Sequence, residues 1–164
     1  MKKQKRRVLS LLLAVLVTLT MIPASFAADD LDGHWSQDAM ETWVDYGVIK
    51  GYEDGSVRPD KSITRGELAV MLDRIMSYQN KSSNNFNDLG DSWYTDAILG
   101  ASAAGIIGGY EDGTVRPEAT ISRQEAVVMI ARVLGLHVAG TADNMFTDAN
   151  EIGSWAKDAV DAMA

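Results

Sequence analysis

The chain has 164 residues, 15 basic and 23 acidic side chains, a formal net charge of −8 and no cysteine. The missing cysteine excludes disulfides and a lipid-modified cysteine anchor. The acidic balance excludes binding to nucleic acid or another polyanion through the overall field, so any anion must be held locally by a few placed cations.

Residues 1–27 have the three-part layout of a secretory signal peptide. Lys2, Lys3, Lys5, Arg6 and Arg7 precede an apolar run from Val8 to Ile22, followed by Pro23 and the small-residue stretch ASFA, with cleavage expected after Ala27. The run is short for a membrane span, which needs about 20 residues, so no membrane association is expected after its removal. The leader holds five basic and no acidic residues, so the remainder balances 10 basic against 23 acidic, or −13. Residues 28–164 suffice for one domain with a modest core.

The organising feature is a repeat. GYEDGSVRP at 51–59 returns as GYEDGTVRP at 109–117. Without gaps, 21 of 47 positions are identical between Asp30–Met76 and Asp88–Leu134, which makes the two stretches copies of one unit. A third copy opens at Phe146-Thr147-Asp148 and continues through Trp155, Asp158 and Ala159, so the pattern W-x-x-D-A occurs three times. Repeats of this period are stacked supersecondary units that cannot bury their apolar faces alone. The expected divisions are 28–85, 86–143 and the start of a third unit at 144–164.

Each full unit reads as helix, loop, helix. The first helix begins near Trp35 or Trp93. Trp35, Ala39, Trp43 and Tyr46 form one helical stripe, matched by Trp93, Ala97, Ala101 and Ala104, whose small residues imply close helix packing. Gly47 and Gly105 are read as left-handed caps of Schellman type, followed by Val48-Ile49 and Ile106-Ile107. Asp54-Gly55 and Asp112-Gly113 give tight turns, and Pro59 and Pro117 are expected to keep the preceding arginines extended. The second helices start at ITRGE and ISRQE. Thr64 with Glu67, and Ser122 with Glu125, have capping-box spacing, and Ile63 and Leu68 can form a hydrophobic staple. The expected buried faces are Leu68, Met71, Leu72 and Ile75, and then Val127, Ile130, Val133 and Leu134. Ser77–Asn85 and His137–Asn144 read as polar linkers.

Arg65 and Arg123 occupy the first position of the second helices. A cation there opposes the helix dipole at a cost of about 0.3–1 kcal/mol, and it does so in both copies. Glu67 and Glu125 offer a structural offset. The alternative is an anion site, in which backbone N–H groups and a planar guanidinium hold a carboxylate or phosphate. Arg58 and Arg116 are read as structural partners of the loop acids Glu53, Asp54, Glu111 and Asp112.

An acidic–aromatic opening, W-x-x-D-A, G-[VI]-I-x-G-Y-E-D-G-[ST]-V-R-P and I-[TS]-R-x-E in this order resembles the S-layer homology domain family, with two full motifs and a truncated third. The resemblance implies a mainly α fold of helix–loop–helix repeats packed as an incomplete pseudo-threefold spindle. In it the first helices build a central bundle, and clefts lie between adjacent units. It implies a secreted, non-covalent cell-surface anchoring module. The partner is a secondary cell-wall polymer attached to peptidoglycan, often bearing a pyruvate ketal on N-acetylmannosamine. The family's T-R-A-E motif maps onto Thr64-Arg65-Gly66-Glu67 and Ser122-Arg123-Gln124-Glu125, and Gln124 is expected to narrow the second site. Gly51 and Gly109 would admit close backbone approach. Tyr52 and Tyr110 could lay a ring against the sugar or ketal methyl, with core packing as the alternative. Trp35, Trp93 and Trp155 are expected to anchor the core. If Ala164 is the natural end, one prong is missing, and a fragment of a larger exported protein with catalysis elsewhere is expected instead.

No catalytic residue, cofactor or metal is expected. The repeated acids sit in turns and caps, His34 and His137 have no counterparts in the other copies, and the acids at Asp29–Asp32, Asn87-Asp88 and Asp143-Asn144 lack EF-hand spacing, so they read as a solvated surface. Self-association through exposed apolar surface is the remaining alternative.

Overall fold

The computed structural model describes residues 29–136 and 146–164. The leader expected at 1–27 and the linker expected at His137–Asn144 lie outside them. The described residues form five α-helices: α1 (Gln37–Asp45), α2 (Arg65–Met76), α3 (Thr95–Ala103), α4 (Arg123–Val133) and α5 (Lys157–Met163). No strand is present among them, and the sole β feature is an isolated antiparallel bridge between Thr64 and Thr120. The chain is a mainly α repeat fold.

Helix boundaries follow the local sequence. Val48 N–H reaches Trp43 C=O at 2.9 Å and Gly47 N–H reaches Val44 C=O at 2.8 Å, which are the two bonds of a Schellman ending. Ile106 to Ala101 and Gly105 to Ser102 repeat them, as do Leu136 to Ala131 and Gly135 to Arg132. Both capping boxes form. Thr64 Oγ1 accepts from Glu67 N–H at 3.1 Å while Thr64 N–H donates to Glu67 Oε2 at 2.7 Å, and Ser122 and Glu125 make the same exchange.

The repeats join through their second helices. Helix α2 packs on α3, and α4 packs on α5. The first helices are expected to form a central bundle, but α3 and α5 make their principal helix contacts with the preceding unit's second helix. The start of α2 also lies against the second loop. Arg65 N–H donates to Ala119 C=O at 3.0 Å, Gly66 N–H to Pro117 C=O at 2.9 Å, and Ile121 N–H to Ile63 C=O at 3.1 Å. The core accordingly gathers around the second unit, with Leu68, Ala69 and Leu72 from α2, Ala97, Ile98 and Ala101 from α3, Val115 from the loop and Met129 from α4. Ile63 packs against it half-buried, as a staple residue would. The linker at Ser77–Asn85 is fastened by Ser82 N–H to Leu99 C=O, by Asn84 Nδ2 to Leu89 C=O and by the Lys81–Asp96 ion pair.

Several expected core positions are not core. Trp35 is 90 % exposed, Trp93 63 % and Trp155 57 %. Each precedes its helix by two residues, so the ring leaves the buried stripe. The following residue enters the core instead, as Tyr94 in the second unit and Ala156 in the third. Ile75 and Leu134 lie at the outer ends of their helices and are exposed, while Ala69 and Val70, and then Val128, Met129 and Ala131, take up the burial. No residue of α1 is buried.

Candidate functional site: two clefts beside the duplicated loops

The repeated loop is a small folded device. In the first copy Asp54 Oδ1 accepts from Ser56 N–H at 3.0 Å and Ser56 Oγ at 2.6 Å, while Arg58 reaches Asp54 Oδ2 at 2.8 Å and Ser56 Oγ at 3.0 Å. Asp112, Thr114 and Arg116 repeat every one of these bonds. The exchange of serine for threonine between copies is therefore silent, because only the hydroxyl is used. These bonds hold both carboxyls low. The Thr114 hydroxyl and then the Arg116 guanidinium take Asp112 to about 2, and Ser56 and Arg58 depress Asp54 in the same way.

Arg58 and Arg116, expected to be extended, have φ of +55° and +50°. The reason lies at the start of each unit. Asp30 accepts from the backbone N–H groups of both Val57 and Arg58, and Asp88 from those of Val115 and Arg116. Turning two successive amides onto one carboxylate requires a nest, which places one residue at positive φ. Asp30 and Asp88 are thus exposed acids that also clamp the loops. The bonds from Val57 and Arg58 hold the Asp30 carboxyl below its ordinary value.

Beside each loop lies a cleft. The second-copy cleft, of about 680 Å³, is lined by Gly109, Tyr110, Arg116, Glu125 and Arg132, with Arg65 from the preceding unit and Trp155 from the following one. Arg65 is 7 % exposed and is the sole buried charged residue among those described. Its Nε donates to Val115 C=O at 2.9 Å and its Nη1 to Glu125 Oε1 at 3.2 Å. Glu125 also accepts from the Tyr110 hydroxyl and from the Ser122 N–H and hydroxyl. Burial pushes the Glu125 carboxyl up, but these donors and the Arg65 charge outweigh it, and the carboxyl lies below its ordinary value. Burial and Glu125 raise the Tyr110 phenol.

The first-copy cleft, of about 520 Å³, is lined by Gly51, Tyr52, Arg58, Lys61, Glu67 and Arg74, with Trp93 from the second unit as a wall. Tyr52 hydroxyl donates to Glu67 Oε1 at 2.9 Å, and Lys61 Nζ lies 2.9 Å from that hydroxyl and 3.5 Å from Glu67. Apolar side chains complete both clefts, with Val70 and Met71 in the first and Val128 and Met129 in the second.

The structure thus gathers Tyr52 with Glu67, and Tyr110 with Glu125 and Arg65. It does not place Arg65 and Arg123 alike. The amides at the start of α2 are taken by Pro117 and Ala119, so Arg65 does not act beside open N–H groups, and its guanidinium serves the next unit's cleft. Arg123 is exposed and lines neither cleft. Thr64 and Ser122 line neither cleft and hold the cleft glutamates. Gly51 and Gly109 are required by the loop itself, since an added Cβ would sit 2.7 Å from Ser56 O and 2.8 Å from Thr114 O. Gln124 does not narrow a cleft. Its Oε1 accepts from Gly153 N–H at 2.9 Å and ties the third segment to α4. The tyrosine rings carry cations, with Arg58 and Lys61 over Tyr52 at 4.1 and 4.5 Å, and Arg116 and Arg65 over Tyr110 at 3.9 and 4.9 Å.

Sequence reasoning missed Arg74 and Arg132, which line the clefts and donate to Val48 C=O and Ile106 C=O. Their identity across the 58-residue shift was the available signal. It also missed Lys61, which had no counterpart to draw notice, and it assigned Trp93 and Trp155 to the core.

A duplicated loop that clamps its own arginine, beside a cleft completed by the neighbouring unit, defines a helical repeat module. The family model of the S-layer homology domain matches residues 29–69 and 85–127, and the chain belongs to that family. It is similar to Cell surface glycoprotein 1 of Acetivibrio thermocellus, with 34% identity over 140 residues, covering 78% of this chain and 6% of that protein. The Cellulosome-anchoring protein of the same organism is 34% identical over 131 residues, 76% of this chain and 29% of its own length. The Surface-layer 125 kDa protein of Lysinibacillus sphaericus is 30% identical over 149 residues, 88% of this chain and 13% of its own. The chain therefore spans a small part of these relatives. The domain is a non-catalytic anchoring module, and it places the chain at the cell wall or cell surface. No described helix is long and apolar enough to cross a membrane.

Proposed function

We propose that the chain anchors to a secondary cell-wall polysaccharide through carboxylate-bearing sugars, such as a pyruvate ketal, held in the two inter-repeat clefts. The supporting observation is the cleft composition. Each combines a tyrosine–glutamate pair braced by two cations, a further arginine on the wall, an apolar patch and an indole from the next unit. Guanidinium and ammonium groups suit a carboxylate, while the apolar patch and indole suit a sugar face or a ketal methyl. The domain's own charge stays acidic, so the cations act at short range only.

The test is co-sedimentation with purified cell-wall sacculi before and after chemical removal of the secondary polymer. Pelleting is expected before removal and not after. Pelleting that persists would move the target to peptidoglycan itself. Self-association is a second reading, favoured by Trp35 and Tyr46, which flank α1 and are 90 % and 75 % exposed. Light scattering on a size-exclusion column, with a mass near twice the monomer, would support it.

A further inference from the structure

The two clefts look like duplicates, yet their cations come from different places. Over Tyr110 the second cation is Arg65, supplied across the repeat boundary. Over Tyr52 it is Lys61, supplied by the first unit's own loop. The copy of Lys61 in the second unit is Ala119, which has no charge to offer, and whose carbonyl instead accepts the Arg65 N–H. Two unrelated sequence positions thus converge on one arrangement, a tyrosine hydroxyl donating to a helix-cap glutamate with a cation beside both. We infer that Lys61 is the anion-binding cation of the first cleft, standing where the cross-repeat Arg65 stands in the second.

The substitution changes the chemistry. Arg65 is a buried planar fork. Its Nε and Nη1 are spent on Val115 and Glu125, so its remaining donors have a fixed direction. That geometry selects a planar carboxylate. Lys61 is a compact point charge on a flexible stem, 43 % exposed, and can swing toward an anion of any shape. The first cleft is therefore the tolerant one and carries its cation within one unit. The second is the selective one, and its cation is set by the docking of one unit on the next.

The inference rests on the proposed carboxylate-sugar reading, and the four tryptophans let one experiment separate the two. Trp93 walls the first cleft and Trp155 the second, while Trp35 and Trp43 line neither and serve as references. The probe is the methyl glycoside of pyruvylated N-acetylmannosamine, titrated into the 15N-labelled full chain while the indole N–H signals are followed by NMR. Lys61→Ala is expected to weaken binding at Trp93 by tenfold or more and leave the Trp155 curve unchanged, with Lys61→Arg restoring most of the loss. Arg65→Lys, which keeps the charge, is expected to weaken binding at Trp155 alone. Wild-type binding with a Trp93 curve indifferent to Lys61→Ala, or both curves weakened equally, overturns the inference and spares the carboxylate-sugar reading. Wild-type signals at Trp93 and Trp155 that do not move at all overturn both.

Discussion

Arg65 and Arg123 begin their helices in the same sequence context, yet the structure makes them unequal, and truncating each to alanine measures the difference. Arg65→Ala removes two charge-assisted hydrogen bonds, to Val115 C=O and Glu125 Oε1. Each contributes about 1.5–3 kcal/mol. Glu125 keeps the Tyr110 hydroxyl and both Ser122 donors, so its carboxylate is not stranded and the low end applies. The expected loss is about 3 kcal/mol, or a fall in Tm of about 10 °C for a domain of this size. The Arg65 backbone bond to Ala119 survives truncation, so the helix start should remain docked. Arg123 is exposed, and Arg123→Ala should stay within about 0.5 kcal/mol. Thermal melts followed by far-UV circular dichroism, with urea titrations for the free energies, provide the comparison. Equal losses in the two variants would refute the argument that docking of the first unit on the second loop buries Arg65.

Two further outcomes follow from the loop and cap chemistry. Gly109 has φ +73°, and an added Cβ would meet Thr114 O at 2.8 Å and the Phe86 ring at 2.7 Å, whereas Gly105 has φ +74° with nothing within 4 Å. Gly105→Ala should cost only the left-handed term of about 1–2 kcal/mol, and Gly109→Ala should cost about 1–3 kcal/mol more because a backbone carbonyl cannot step aside; matching urea midpoints for the two would contradict this. Glu67 and Glu125 have folded pKa values below their ordinary 4.5, because the donors around each outweigh the effect of burial. The unfolded chain then binds more protons, so their stabilisation is fully present above pH 4.5 and is lost as pH falls through the folded values. The urea midpoint should drop between pH 5 and pH 3, and Glu125→Gln should flatten that drop; an unchanged slope in the variant would show that the carboxyl is not the group responsible.

Local chemistry was legible in the residues themselves. The capping boxes, the Schellman endings and the Asp–Gly turns each depend on neighbours within about six positions, and all formed as their spacing requires. The duplication, too, was plain in one sequence, and with it the helical repeat class. Arg58 and Arg116 were misread because the proline rule is local, while the force that sets their φ comes from Asp30 and Asp88, 28 positions away. Trp93 and Trp155 were misplaced because large aromatic rings usually bury, and the two-residue offset between ring and helix start is a matter of how units stack.

What the sequence by itself determined is the unit: its helices, its caps and a loop that folds on its own aspartate, hydroxyl and arginine. What only the tertiary structure decided is which unit each side chain serves. By its neighbours Arg65 is simply the residue after the Thr64 cap, but the docking of α2 against Pro117 and Ala119 sends its guanidinium into the second unit's cleft. The physical reason is range. A capping-box exchange or a Schellman ending is settled by near neighbours in the chain, whereas burial of a charge, and the partners of amides the cap leaves over, depend on which surfaces meet, and two similar units acquire different partners once they are stacked.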